Sequence, residues 1–136
     1  MHELSDEEKE YYSLTERVFG KLAPFYDPLP FPDESFDISS ISFALHDMPR
    51  SIRKETLKEM ARVTKPDGMI LIIDHALPEN KLGRFLAYNF TRLHEAKYYR
   101  EFIRSGLEPL LARAGLRIEA EKPVMCGTAR IYRAVK

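Results

Sequence analysis

The sequence predicts an α/β fold of about four strands, a parallel pair plus an antiparallel edge pair, with helices on both faces. Three observations carry this. "FDISSISFALH" (Phe36 to His46) and "MILIIDH" (Met69 to His75) are short apolar runs rich in β-branched residues. An amphipathic helical pattern lies between them, and parallel strands need such a crossover. "LRIEAEKPV" and "TARIYRAVK" then alternate as an antiparallel pair does.

Each element has its own signal. Ser5 and Glu8 fit a capping box, and Tyr11, Leu14, Val18 and Leu22 follow at helical spacing, so a helix is expected from Ser5 to about Gly20. Pro28, Pro30 and Pro32 hold the next stretch extended, and Asp33, Glu34 and Ser35 form a bend. The strand 36–46 carries apolar groups on both faces: Phe36, Ile38 and Ala44 on one, Ile41, Phe43 and Leu45 on the other. A strand covered on both sides has that pattern. Pro49 suits the first turn of a helix. Its inner stripe is Ile52, Leu57, Met60, Ala61 and Thr64; its wet face is Arg53, Lys54, Glu55, Lys58 and Glu59.

"KPDG" (Lys65 to Gly68) reads as a stop before the strand Met69–His75, and the crossover should be right-handed. A helix from about Asn80 to His94 should turn Leu82, Phe85, Leu86, Phe90 and Leu93 inward. Ser105 and Glu108 suggest a second capping box, with Leu107, Leu110, Leu111 and Ala114 as the stripe and Gly115 as the stop.

Composition bounds function. A chain of 136 residues suits one domain. The formal net charge is zero, against the basic excess of a nucleic-acid binder. Acids crowd the first third and arginines the last third, which reads as solvated faces or as acid-to-base contact between protomers. Cys126 stands alone, so no intrachain disulfide or cysteine metal cluster is expected, and Cys126 itself reads as structural. With no signal-peptide pattern and no apolar run of about 20 residues, a cytoplasmic protein with no membrane and no nucleic-acid partner is expected.

His46 and Asp47 end the first strand, at the carboxyl edge where open α/β sheets place ligands. Histidine titrates near neutrality and suits a general base. The same two residues would equally serve to cap the next helix. Asp74 and His75 end the second strand and converge on the same edge, but their spacing is not that of a tight metal motif. His94, Tyr88, Phe90, Tyr98 and Tyr99 read as helix packing or a lid.

"LPFPDESFDISSISFALHDMP", "LKEMARVTKPDGMILIID", "LEPLLARAGLRI" and "ARIYRAVK" together resemble the class I S-adenosylmethionine (SAM)-dependent methyltransferases. The flavour is the type 11 group, which includes quinone-biosynthesis methyltransferases. The resemblance implies the C-terminal half of a Rossmann-like methyltransferase sheet at residues 29–136, behind an N-terminal helical segment at 1–28. It implies SAM as cofactor, Ser42 and Phe43 bordering its methionine part, and His46 and Asp47 facing the substrate.

The family's Gly-rich loop after strand one and its ribose-binding acid after strand two have no counterpart. No two of the six glycines make G-x-G, and no strand pattern precedes Phe36. The missing block falls at Leu29. A micromolar cofactor is held by about 8 kcal/mol. Each lost charged hydrogen bond removes roughly 1.5–3 kcal/mol of that, so a single chain should bind SAM only at millimolar concentration or worse. Three readings follow: a methyltransferase-like partner without autonomous catalysis, an enzyme whose SAM site is completed across a dimer or by another chain, or a folded remnant. Losing strand one would leave strand 36–46 as an open edge. The expected partner is a second copy paired there as a homodimer, or a full-length methyltransferase paralogue.

Overall fold

The computed structural model describes residues 28–94 and 98–136, with Asp6 and Lys9; the side chains of 90–94 are outside that description. Apart from Asp6 and Lys9, which are helical, the helix expected from Ser5 lies outside the described residues, as do the inward placements of Phe90 and Leu93.

β1 (Phe36–Ser42) leads through a 3-10 turn at Leu45–Asp47 to α1 (Arg50–Val63) and β2 (Thr64–His75). α2 (Lys81–His94), α3 (Tyr99–Ser105) and α4 (Glu108–Arg113) follow, then β3 (Arg117–Val124) and β4 (Ala129–Val135). The sheet order is β1-β2-β4-β3. β1 and β2 are parallel, β4 is antiparallel to β2, and β3 is antiparallel to β4. The predicted four-strand mixed sheet is therefore present. The core lies where α1 and α4 meet it, built on Ile52, Leu57, Met60, Ile70, Ile72 and Leu111.

β1 stops four residues earlier than its composition suggests. Phe43 donates its amide to the Ile73 carbonyl but turns to a φ of +49°. The Leu45 amide then leaves the ladder for the Asp74 carboxylate. Nor is β1 buried on both faces. Ile41 packs on the core, whereas Ile38 is 53% exposed, because β1 is an edge strand and no described element covers that side.

Pro49 precedes α1 and accepts the Arg53 amide, as its fixed backbone favours. Arg53 is not on the wet face; it is 0% exposed. "KPDG" is not a loop between separate elements. Thr64 pairs with Phe36 and Met69 with Ile38, so Lys65–Gly68 bulge out within β2. Gly68 is required there, since a Cβ would lie 2.6 Å from the Asp37 carbonyl oxygen. Lys65 and Asp37 close the bulge at 2.8 Å.

Two further expectations change. Ser105 closes α3, donating to the Phe102 carbonyl, rather than capping α4, because Gly106 at φ +70° separates the two helices. Leu107 takes the cap position of α4 without a side-chain bond. On α2, Leu82, Phe85 and Leu86 face solvent at 69%, 65% and 57% exposure. The crowded C-terminal arginines are in part matched within the chain: Arg130 pairs with Glu79 and Glu121, and Arg133 with Glu119.

Candidate active site

The carboxyl ends of β1 and β2 lie side by side, and the turn after β1 folds back over β2. Asp74, the penultimate residue of β2, is 0% exposed. Its carboxylate accepts three hydrogen bonds: from the Leu45 amide at 3.0 Å, from its neighbour His75's amide at 2.8 Å, and from His46 Nδ1 at 2.7 Å. A carboxylate cannot donate, so Nδ1 carries the proton in this pairing. His46 Nε2 then faces the Asp47 carboxylate at 3.4 Å.

Aromatic rings enclose this pair. The His46 and His75 rings stand edge to face with centroids 4.5 Å apart. Tyr99, buried at the start of α3, meets His75 at 5.5 Å and His46 at 6.1 Å. Phe43 meets His75 at 5.4 Å from the exposed side.

Arg53 holds the turn from below. Its Nε donates to the Leu45 carbonyl, one terminal nitrogen to the Met48 carbonyl, and the other to Glu101 of α3 at 2.7 Å. Its guanidinium lies 4.9 Å from the Phe102 ring centroid. Burial pushes the Arg53 group below its ordinary value, and Glu101 opposes that shift. Leu45 is thus held at both its amide and its carbonyl by buried side chains.

The structure brings His46, Asp47, Asp74 and His75 together, as their positions at the strand ends suggest. They meet as hydrogen-bonded and stacked groups. No metal-holding set of three His, Cys, Asp or Glu occurs among the described residues. Neither the 3-10 turn nor α1 has a side-chain cap, so capping by His46 or Asp47 is not observed. Ser42 and Phe43 sit exposed at the open edge. Cys126 is exposed, in a turn where Met125, Cys126 and Gly127 all have positive φ.

Sequence reasoning missed Arg53, Glu101 and the site contacts of Tyr99. Arg53 had a signal: it falls on the same helical stripe as Leu57, Met60 and Thr64. Beside the cluster, a cleft of about 200 Å³ is lined by His75, Arg84, Phe102, Leu107, Arg130 and Tyr132. Burial raises the Tyr132 hydroxyl above its usual range.

Comparisons with known proteins agree with this geometry. A family model described as a methyltransferase domain matches residues 6–72. The uncharacterized methyltransferase YcgJ of Bacillus subtilis (strain 168) is 39% identical over 75 residues, covering 55% of this chain and 29% of that protein. The ubiquinone/menaquinone biosynthesis C-methyltransferase UbiE of Azotobacter vinelandii is 30% identical over 128 residues, covering 81% of this chain and 50% of its own length. The structure of mitomycin 7-O-methyltransferase MmcR shares the fold, with a TM-score of 0.63 at 24% identity, over 96% of this chain and 39% of that one.

The fold and the motifs define a Rossmann-like methyltransferase domain. The family model and the methyltransferase relatives together support the class I SAM-dependent methyltransferase family for this chain. It spans between 29% and 50% of the length of these two curated relatives.

No G-x-G cradle for SAM occurs in the sequence, and three of the described glycines face the chain's own atoms. A cofactor cradle needs glycine backbone beside the ligand. Here the space at Gly68, Gly83 and Gly127 is taken by Asp37, Asn80 and Pro78 of the chain itself.

Proposed function

We propose that this chain is a methyltransferase-like protein without autonomous catalysis. It retains the substrate side of a class I site, on β1 and β2, and lacks the Gly-rich loop and ribose-binding acid that would hold SAM. The observation that carries this reading is the glycine pattern: six glycines, no G-x-G, and Gly68, Gly83 and Gly127 each crowded by the chain's own atoms. Labelled methyl transfer tests it. The chain alone, with SAM and a panel of phenolic and quinol acceptors, should transfer nothing above background. Transfer by the chain alone at micromolar SAM overturns the reading.

A second reading is favoured by one specific observation, the buried His46–Asp74 pair. Asp74 orients the His46 ring through Nδ1, and Nε2, which faces the Asp47 carboxylate at 3.4 Å, is the ring nitrogen left to exchange a proton with a methyl acceptor. A site that keeps such a base is consistent with an enzyme whose SAM side comes from another chain. The open edge of β1 offers the place. The Phe43 amide points to β2, so the alternate amides of Ile38, Ser40 and Ser42 point outward. No lysine or proline interrupts Ile38–Leu45 to discourage pairing. The partner in this reading is a second copy, joined antiparallel about a two-fold axis. A full-length methyltransferase paralogue is the alternative partner. Transfer that appears only above the dimerisation concentration, or only with the paralogue, supports it.

A further inference from the structure

The cleft beside the His46–Asp74 pair has a floor dictated by the sheet. Arg130 and Tyr132 alternate along β4 and pair with Asp74 and Ile72 of β2. Directly paired residues share a face, so both side chains stand on the face that carries the buried core. Past the end of α3, Gly106 at φ +70° lines the cleft without a side chain. The space left there is about 200 Å³.

The lining has two chemistries. Leu77, Phe102, Ile103 and Leu107 give apolar walls. An apolar cavity of about 150 Å³ takes a benzene ring, so this cleft takes one ring and little more. The polar groups are few: His75, Arg84, Arg130 and Tyr132. Arg130 is already matched, one terminal nitrogen donating to Glu79 at 3.0 Å and the other to Glu121 at 2.8 Å. Arg84, reaching in from α2, is exposed and has no carboxylate partner among the described residues. Burial keeps the Tyr132 hydroxyl protonated and able to donate, and it makes no hydrogen bond among the described residues. One cation without a counter-ion and one hydroxyl donor, beside an apolar slot, complement a ring that carries a single carboxylate. His75 joins the cleft to the cluster: its ring lines the one and stands 4.5 Å from the His46 ring in the other.

We propose that this cleft binds a monocyclic aromatic acid, with the ring against Phe102 and Leu107 and the carboxylate held by Arg84 and Tyr132. The inference names the acceptor class of the substrate side that the chain retains, and it rests on that reading.

Titration of the full chain with sodium benzoate, without SAM and followed in nitrogen-15 amide spectra, tests it. Benzoate should saturate and shift the amides of residues 75–77, 102–107 and 130–132. Benzyl alcohol has the ring without the charge, and acetate the charge without the ring; each should bind at least about tenfold more weakly. R84Q should lose about tenfold for benzoate and nothing for benzyl alcohol, because the guanidinium acts on the anion alone. Y132F should weaken benzoate about threefold or more without lowering the melting temperature, since no hydrogen bond within the chain is lost. Four results would overturn the proposal: no saturable shift, shifts confined to other segments, benzyl alcohol binding as tightly as benzoate, or full benzoate affinity in R84Q. Benzoate binding by a chain that itself transfers methyl groups at micromolar SAM supports the cleft and overturns only the lack of autonomous catalysis. A missing benzoate shift overturns the cleft and leaves that lack of catalysis standing.

Discussion

His46 Nδ1 and Asp74 Oδ1 meet at 2.7 Å, joining the turn after β1 to the end of β2 in a buried contact. Asp74 also holds the backbone amides of Leu45 and His75, so one carboxylate fixes both strand ends. Replacement D74N keeps the volume but turns an amide donor towards these donors. It should cost roughly 2–4 kcal/mol of stability, because a buried donor is left unsatisfied. Urea denaturation reads that loss. Nitrogen-15 spectra should show the His46 ring nitrogens shifting as the Asp74 contact at Nδ1 is lost.

Arg53 is buried, with all three of its hydrogen-bonding nitrogens engaged. R53M leaves the Leu45 and Met48 carbonyls and the Glu101 carboxylate without that partner, and should cost about 3–5 kcal/mol. E101Q removes only a contact at a partly exposed carboxylate, and should cost about 1 kcal/mol or less. Equal effects of the two substitutions in denaturant melts would show that the carbonyl contacts carry no weight.

Gly68 leaves no room for a side chain beside the Asp37 carbonyl. G68A must push β1 away from the bulge in β2, at roughly 1–3 kcal/mol. Amide exchange should quicken along β1 first. An unchanged melting temperature would mean that the bulge gives way freely.

The segment between the N-terminal region and β1 is tied to α1 by one pair of residues. Arg62 donates to the carbonyls of Leu29 and Phe31 and to the carboxylates of Asp33 and Glu59, while Glu59 accepts the Leu29 amide. The Arg62 hydrogen bond holds the Glu59 carboxyl below its ordinary value. A carboxyl lowered in the folded state stabilises the fold above its unfolded value, and that contribution is lost as pH falls through the folded value. The wild type should therefore lose stability below about pH 4.5, and E59Q should show a shallower acid limb. R62A should expose the bonds around Leu29–Asp33 to limited proteolysis.

The strand–helix–strand unit and the final antiparallel pair were legible because apolar period and turn residues agree there. "KPDG" misled because its four residues bulge only in response to β1, a pairing no local pattern contains. Ile38 and the α2 leucines misled because apolar spacing tells which residues share a face, not what covers it. The convergence of His46, Asp47, Asp74 and His75 was legible because all four stand at the ends of neighbouring strands. Arg53 was lost because a charged residue on a core stripe was read by its charge and not by its phase.

Isothermal calorimetry with SAM and S-adenosylhomocysteine on the full chain tests the central claim, that the SAM side of the site is missing from a single chain. The account predicts no saturable heat below millimolar ligand when the protein is dilute and monomeric by light scattering. Micromolar binding to that monomer would contradict it.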